Sequence, residues 1–231
     1  MISNHGIPSK AKIKLYETLF FSISVKYDAA TFCATRSNGN FAFPQRCTKY
    51  VTCSNGSPHV TTCPGNLHYN PSTDACVYPL SFRCLEFQGT VCYGAKDNAF
   101  GTFKMQREGK LRQLTLEHES GFVSCDTAIP AANSNWGCGI GFLSVRMGTV
   151  VTRASNALLF PFFELDNTGY YGLARTDAFS RTLTLYNFDK EIKVWNQETM
   201  RIWHGEDLVK MNEQNNGGTH CVNVYAIIEQ S

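Results

Sequence analysis

The sequence has no excess of charge of one sign and no long hydrophobic run. Its 231 residues carry a net charge of only +2, and lysine and arginine nowhere gather into an extended patch. No segment reaches the ~18 consecutive apolar residues that a transmembrane helix requires. Nucleic acid and an anionic surface are therefore not expected as partners, and no membrane span is expected. These absences favour a neutral ligand.

Common catalytic and metal-binding motifs are also missing. The sequence has no G-x-S-x-G elbow, P-loop, H-E-x-x-H or Rossmann fingerprint. It has no C-x-x-C pair and no histidine pair with zinc-ligand spacing. We interpret Glu206, Asp207 and Glu213 as solvated carboxylates rather than calcium ligands. We therefore predict no catalytic residue, no metal site, no cofactor and no enzyme activity.

The chain is rich in cysteine. It has ten cysteines, and six of them lie between Cys33 and Cys84. Such density predicts disulfide bonds and an oxidising, extracellular compartment. Secretion needs a leader, and residues 1–30 contain three lysines followed by the apolar run 19–25. A signal peptide cleaved near Ala29-Ala30 and a misassigned or truncated start are both compatible with this segment.

Residues 85–231 show the alternation of apolar and polar residues that is typical of β-strands. The segments with this period are 112–118, 142–147, 181–188, 191–196, 200–205 and 220–228. In segment 142–147 the alternation places Leu143, Val145 and Met147 on one face. Turn-forming residues separate the segments, and no sustained helical stripe occurs. We predict a mostly β protein whose residues 85–231 form an antiparallel β-sandwich or jelly roll.

Residues 31–84, which we call the small module, are too few to gain much stability from a hydrophobic core. Three disulfide bonds would each add roughly 2–4 kcal/mol of stability. Six cysteines permit fifteen pairings, and the residues alone do not choose among them.

The cysteine spacing and its surroundings resemble a known family. The numbers of residues between successive cysteines from Cys33 to Cys84 are 13, 5, 9, 12 and 7. Tyr50-Val51 precedes the third cysteine, Asn55-Gly56 follows it, CPGNLHYNPSTDAC runs into the fifth, and Tyr78-Pro79 comes after it. This combination is similar to the peritrophin-A, or type 2 chitin-binding, domain of invertebrates. The resemblance implies the pairs Cys33–Cys53, Cys47–Cys84 and Cys63–Cys76, and it implies binding to chitin.

The predicted sugar contacts centre on Tyr69 and Asn70, on the first arm of the hairpin that a Cys63–Cys76 bond would close. An aromatic ring can lie against the C–H face of a pyranose while an amide bonds its polar rim. Tyr69 is expected to stack on sugar, with packing on a disulfide as the alternative. Asn70 equally fits a turn cap. Three further aromatic residues are candidate sugar contacts. Tyr78 fits a sugar contact and a structural role equally well. Phe43 is either an exposed platform for sugar or a core residue, and Tyr50 is more often a core residue than a contact.

Three further predictions concern modification and the remaining cysteines. Asn55 lies in the chain's only N-glycosylation sequon, Asn-Gly-Ser. Cys92 and Cys221, near the two ends of the β region, are expected to pair, and Cys125 is expected to pair with Cys138. The stretches RIWHGEDL and NNGGTHCVNVYA resemble, faintly, secreted cnidarian proteins of unknown function.

We therefore predict a secreted, non-catalytic protein of an extracellular matrix with three parts: a leader (1–30), a type 2 chitin-binding module (31–84) and a β-sandwich of unknown function (85–231). Its partner is chitin or a related N-acetylglucosamine polymer, with other matrix proteins or glycans as further partners. The main alternative is a structural matrix protein whose small module has lost sugar binding. A carbohydrate-active enzyme with a chitin anchor is the third class.

Overall fold

The computed structural model describes residues 27–79, 84–162, 165–186 and 191–229. The predicted leader thus lies almost entirely outside the described residues. In the described part strands dominate, and the paired strands run antiparallel. The prediction of a mostly β, disulfide-rich chain is confirmed. Across these residues, no helix is both long and apolar enough to cross a membrane.

The small module contains a sheet and a hairpin. β1 (Gly39–Ala42), β2 (Lys49–Ser54) and β3 (Ser57–Thr62) form a three-stranded sheet in chain order. β4 (His68–Asn70) pairs with β5 (Ala75–Val77). The two residues between β2 and β3 are Asn55 and Gly56, with φ of 51° and 78°. Positive φ at both positions matches a two-residue turn to the twist of the strands, so this Asn-Gly pair fixes the hairpin register.

One face of the three-stranded sheet carries the small core. Val51 and Cys53 point to this face and are buried against Phe32 and Cys33, with Phe41 packed at the edge. Two of the four buried residues are disulfide-bonded cysteines. The crosslinks therefore stand in for apolar contacts that so short a segment cannot supply.

Five disulfide bonds use all ten cysteines. They are Cys33–Cys53, Cys47–Cys84, Cys63–Cys76, Cys92–Cys221 and Cys125–Cys138. The first three agree with the pairing that the family resemblance implied. The last two agree with the pairing expected for the β region, where one bond joins strands distant in sequence and the other closes a local loop.

The rest of the described chain forms two antiparallel sheets and short connecting elements. Its strands are β6 (Glu86–Gly94), β7 (Gly101–Lys104), β8 (Gly109–Gly121), β9 (Val123–Ser124), β10 (Asn133–Ser134), β11 (Arg146–Met147), β12 (Thr149–Arg153), β13 (Leu158–Phe160), β14 (Tyr171–Gly172), β15 (Thr182–Tyr186), β16 (Ile192–Val194), β17 (Thr199–His204) and β18 (Thr219–Glu229). One α-helix is present among the described residues, α1 (Gly205–Val209). Short 3-10 helices lie at Pro64–Asn66, Pro130–Ala132, Gly141–Val145 and Glu213–Asn215.

The two sheets enclose one core. The larger sheet has the order β15-β8-β18-β6, with β16 also paired to β8, and the smaller has the order β13-β12-β17-β7. Leu114 and Leu116 of β8 and Leu183 of β15 are buried, as their alternation predicted. They belong to the same apolar cluster as Val150 of β12 and Ile202 of β17. Side chains from both sheets thus interdigitate as in a β-sandwich.

The predicted strand at 142–147 is largely wrong. Gly141–Val145 forms a 3-10 helix, and only Arg146 and Met147 are extended. Val145 is 62% exposed whereas Met147 is fully buried, so the two do not share an inward face. Gly141 has a φ of +59°, which begins a turn rather than a strand. An apolar loop produced the same short alternation as a strand.

A buried carboxylate joins the small module to the sandwich. Glu86 at the start of β6 is 2% exposed. One of its oxygens accepts the backbone N–H of Cys47 at 3.2 Å, and the other lies 2.7 Å from Nε of Arg107. Arg46 adds a 2.8 Å hydrogen bond to the carbonyl of Gln106. The module is therefore held to the sandwich by polar contacts that include a mostly buried ion pair.

Candidate functional site

The second face of the three-stranded sheet is polar. Because side chains alternate along a strand, Tyr50 and Thr52 of β2 point away from the small core. The neighbouring strands place Asn40, His59 and Thr61 opposite these two residues. Thr52 donates its hydroxyl to the amide oxygen of Asn40 at 2.7 Å. This face therefore presents hydroxyl and amide groups, which are the partners that a neutral sugar uses.

The β4–β5 hairpin extends this polar face. The ring of Tyr69 stacks on that of Tyr50, with centroids 4.9 Å apart and planes 25° from parallel. Its hydroxyl donates to Oδ1 of Asp74 at 2.8 Å, and Asn40 donates its amide to the same oxygen at 3.0 Å. Asp74 thereby links the hairpin to the sheet. We name Asn40, Thr52 and Asp74 the polar triad.

The electrostatics of the triad follow from these bonds. The hydrogen bonds from Tyr69 and Asn40 lower the pKa of Asp74 below its usual value. Burial, and then the neighbouring Asp74, raise the pKa of Tyr69 well above its usual value. At neutral pH Asp74 is therefore an ionised, exposed acceptor and Tyr69 a neutral donor. A carboxylate held in this way can accept a hydrogen bond from a sugar hydroxyl or acetamido N–H.

The structure places the predicted sugar contacts in different environments. Tyr69 is only 3% exposed, so its hydroxyl rather than its ring face is directed toward the polar triad. Tyr50 is half-buried beneath it, in keeping with a packing role. Tyr78, which directly follows β5, is 73% exposed. Tyr78 is therefore the predicted residue whose ring is open to a ligand, while the sugar contacts of all these residues stay predictions.

Two further candidates have local structural partners. Asn70 accepts the backbone N–H of Ser72 at 3.0 Å, which is the turn-capping geometry weighed from the sequence. Phe43 is half-buried, with its ring 4.7 Å from that of Tyr27 and the ammonium of Lys49 at 5.9 Å. Asn55 lies exposed at the tip of the β2–β3 hairpin, where glycosylation also stays a prediction.

The polar triad was not identified from the sequence. Asn40, Thr52 and Asp74 are separated by up to 34 residues and do not belong to one motif. The only available signal was positional, since Asp74 lies in the predicted Cys63–Cys76 hairpin. Their convergence depends on the register of β1 against β2 and on the placement of the hairpin, both of which are tertiary properties.

In the sandwich, two of the three histidines meet inside the protein. Nδ1 of His118 lies 2.9 Å from Nε2 of His220, whose Nδ1 lies 3.1 Å from the hydroxyl of Tyr93. His220 is fully buried. Burial, and then the proximity of His118, lower the pKa of His220 to about 3. His204 lies elsewhere, with Nε2 3.5 Å from the carboxylate of Glu206.

The acidic residues of α1 correct a second sequence-based interpretation. Glu206 and Asp207 are 6% and 1% exposed, so they are not solvated carboxylates. Glu206 accepts the amide of Asn216 at 2.8 Å, and Asp207 accepts the backbone N–H of Asn98 at 2.9 Å. Burial, and to a lesser extent Glu213, raise the pKa of Asp207 to about 6. Over the described ranges, no cluster of three or more His, Cys, Asp or Glu side chains is arranged to hold a metal ion.

The small module matches a known protein family. Residues 33–84 match the family model described as Chitin binding Peritrophin-A domain. Peritrophin-1 of Anopheles gambiae is 40% identical over 43 residues, which are 19% of this chain and 28% of that protein. This chain therefore matches little more than a quarter of that relative's length. The resemblance of the small module to the peritrophin-A family is confirmed.

A solved structure resembles a larger part of the chain. AJLec from the sea anemone Anthopleura japonica has a TM-score of 0.58 and 29% sequence identity. The match covers all of that chain and 64% of this one, more than the small module can account for. The sandwich therefore shares its fold with that protein.

Proposed function

We propose that the protein is a secreted, non-catalytic chitin-binding component of an extracellular matrix. The observation that carries this proposal is the family match at residues 33–84, which contains both the polar triad and the exposed Tyr78. AJLec is lectin-like by its name, which supports a carbohydrate-related role for the sandwich as well. Five disulfide bonds are typical of proteins that fold in an oxidising compartment and are exported from it.

The proposed binding mode uses the polar surface of the crosslinked β4–β5 hairpin and the exposed ring that directly follows it. The exposed ring of Tyr78 receives the C–H face of a pyranose, and Asp74 accepts a hydrogen bond from a hydroxyl or from the acetamido N–H of N-acetylglucosamine. Cys63–Cys76 joins the ends of this hairpin, and the Asn40–Asp74 bond ties it to the sheet. These constraints favour binding because less conformational freedom is lost when the ligand arrives.

The affinity of one module should be modest. A shallow, solvent-exposed platform corresponds to a Kd between about 1 µM and 1 mM. Retention on chitin then depends on repeated rebinding along an insoluble polymer that carries many equivalent sites. A weak site is sufficient for a protein that resides in a matrix.

A chitin-bead pull-down tests the proposal. Wild type should be retained and released by soluble N-acetylglucosamine oligomers, and Tyr78→Ala should reduce retention about tenfold because the ring face is lost. Tyr186→Ala, which removes an exposed tyrosine from the sandwich, is the matched control and should bind like wild type. No retention of the wild type would instead support a structural matrix protein that does not bind sugar. Release of shortened or deacetylated oligomers would show an enzyme.

A further inference from the structure

One end of the sandwich carries a concentrated apolar surface. Ile129, Phe142, Val145 and Phe179 are 41%, 74%, 62% and 54% exposed, and we name these four residues the apolar tip. Exposed side chains of this size are usually scattered rather than clustered, and a large apolar patch on a soluble protein marks an interaction site. The apolar tip plays no part in the proposed chitin site, which lies on the small module.

Hydrogen bonds bring the segments of the tip together. The N–H of Ala178 donates to the carbonyl of Ser144 at 2.8 Å, which places Phe179 beside the 3-10 helix of Phe142 and Val145. The ring of Phe179 also lies against Gly139, where a Cβ would come within 3.1 Å of it. Gly139 donates to the carbonyl of Ala132, in the 3-10 helix that follows Ile129. The three segments therefore lie beside one another.

The tip is held in a defined shape. The Cys125–Cys138 bond closes the loop that contains Ile129. Asn135 donates its side-chain amide to the carbonyls of Phe179 and Ser180 at 3.1 and 3.2 Å. Trp136, fully buried below, donates its indole N–H to the carbonyl of Ser180 at 2.5 Å. A preorganised apolar surface loses little conformational entropy when it is covered.

The charges around the tip argue for a neutral, self-complementary partner. From residue 127 to residue 145 the sequence has no charged residue. At the margin, Arg146 is paired with Asp166 at 2.9 Å and Arg181 with Glu117 at 3.1 Å. The exposed Arg175 is balanced by Asp177 two residues later, and the half-buried Asp126, directly before the uncharged run, adds a single negative charge. An anionic membrane or a strongly charged protein would require an excess of one sign, which this margin does not offer.

The exposed area is consistent with a small dimer interface. Phe142 and Phe179 alone leave roughly 250 Å² of apolar surface in water. Together with Ile129, Val145 and the small exposed residues between them, the tip approaches the lower range of dimer interfaces, about 600–800 Å² from each partner. Interfaces between identical chains are also the most apolar class and use the same patch on both subunits.

We infer that the apolar tip binds the tip of a second copy of this chain, forming a two-fold symmetric dimer. Because the tip and the small module lie at opposite ends of β18, the two small modules lie at the far ends of this dimer. The tip loops leave the sheet beside Thr219, where Ser124 bonds the carbonyl of Gly217 at 2.8 Å. The module contacts Glu86, which pairs with Ala226 seven residues further along β18. At ~3.3 Å per residue, the two attachment points are roughly 23 Å apart.

If the proposed chitin binding also holds, this dimer is bivalent. Two modules that face away from each other could engage two chains or two fibres of the polymer, and joint engagement can raise the apparent affinity about 10²-fold or more. Self-association itself does not depend on chitin, so its test and the chitin pull-down give separate answers.

Sedimentation equilibrium of the full chain between about 1 µM and 1 mM tests the inference. Wild type is expected to shift from monomer to dimer over this range. Phe142→Ser and Phe179→Ser should each weaken dimerisation about tenfold or more, because a central aromatic contact is lost. Trp195→Ser is the matched control, since Trp195 is 56% exposed but lies beyond β16, toward the module end of the sandwich.

Hydrogen exchange provides a second readout that does not rely on variants. The amides of Gly141–Val145 should become more protected as the wild type is concentrated. A wild type that stays monomeric throughout overturns the inference, as does a dimer that both serine variants leave intact. Co-sedimentation of monomeric wild type with phosphatidylcholine vesicles, lost in Phe142→Ser, would also overturn it and assign the tip to a lipid surface.

Discussion

The hydroxyl of Tyr69 donates a 2.8 Å hydrogen bond to the carboxylate of Asp74 across the β4–β5 hairpin. This bond directs the tyrosine hydroxyl toward the polar triad and keeps its ring packed on Tyr50. It therefore changes the role expected for the hairpin. The hairpin exposes a carboxylate, and the ring of Tyr78 is exposed just beyond it, whereas the ring of Tyr69, which the sequence predicted to stack on sugar, is buried.

The first prediction separates the carboxylate from the phenol that holds it. Asp74→Ala should lower retention on chitin beads about tenfold, because an ionised acceptor for a sugar N–H or hydroxyl is lost. Tyr69→Phe breaks the same internal bond but keeps the carboxylate, so it should retain most of the binding. Glu108→Ala, an exposed acid on the sandwich, serves as the control.

Equal chitin retention by Asp74→Ala and wild type would remove the polar triad from the site. Stronger loss in Tyr69→Phe than in Asp74→Ala would show that the hairpin shape, and not the carboxylate, is what the ligand requires. Circular dichroism of each variant establishes that the fold is retained.

The second prediction concerns the attachment of the small module. Glu86→Ala should lower the free energy of unfolding by about 3 kcal/mol, because it leaves the Arg107 guanidinium and the Cys47 N–H without their buried partner. Urea unfolding measures the loss, and hydrogen exchange should rise at Cys47. In contrast, Arg112→Ala breaks the half-exposed pair with Glu229 and should cost less than about 1 kcal/mol. Equal costs in the two variants would contradict a special role for Glu86.

The third prediction is a loss of stability in acid that depends on His220. Its folded pKa of about 3 is below the unfolded value near 6.5, so the unfolded state binds a proton that the folded state excludes. The contribution of His220 to stability therefore falls from about pH 6.5 to about pH 3, by up to about 1.4 kcal/mol per pH unit. Urea unfolding of wild type and His220→Gln at several pH values isolates this contribution. Parallel pH profiles of the two proteins would argue against it.

The fourth prediction concerns Asp207, whose contribution to stability falls as the pH rises, opposite to that of His220. Because the folded pKa of Asp207 is raised to about 6, the folded state holds a proton more tightly than the unfolded state. Stability from this group is present below the unfolded pKa near 4 and is lost as the pH rises through about 6. Asp207→Asn keeps the acceptor for Asn98 without the charge, so it should gain about 1 kcal/mol over wild type at pH 8. Thermal unfolding at pH 3.5 and pH 8 should show nearly all of that gain at the higher pH and little of it at the lower.

Local features of the sequence were sufficient to identify most strands, whereas the disulfide pairs of the small module were implied only by the family resemblance. The spacing from Cys33 to Cys84 carried the family resemblance and three of the disulfide pairs that the structure shows. Alternation identified β8, β15 and β18 because each has one face in a shared core. Such signals depend on residues that are close in sequence. They are the two-residue period of a strand, the residue preferences of turns, and the even number and close spacing of the cysteines.

Tertiary structure decided which side chains meet. The sequence could not place Asp74 beside Asn40, join His118 to His220, bury Glu206 and Asp207, or cluster Phe142 with Phe179. Each of these depends on strand register and on loop packing, where a shift of one residue sends a side chain to the opposite face. Burial then sets the chemistry, since removing water changes the pKa of a carboxyl or an imidazole and decides whether an aromatic ring faces a ligand or the core.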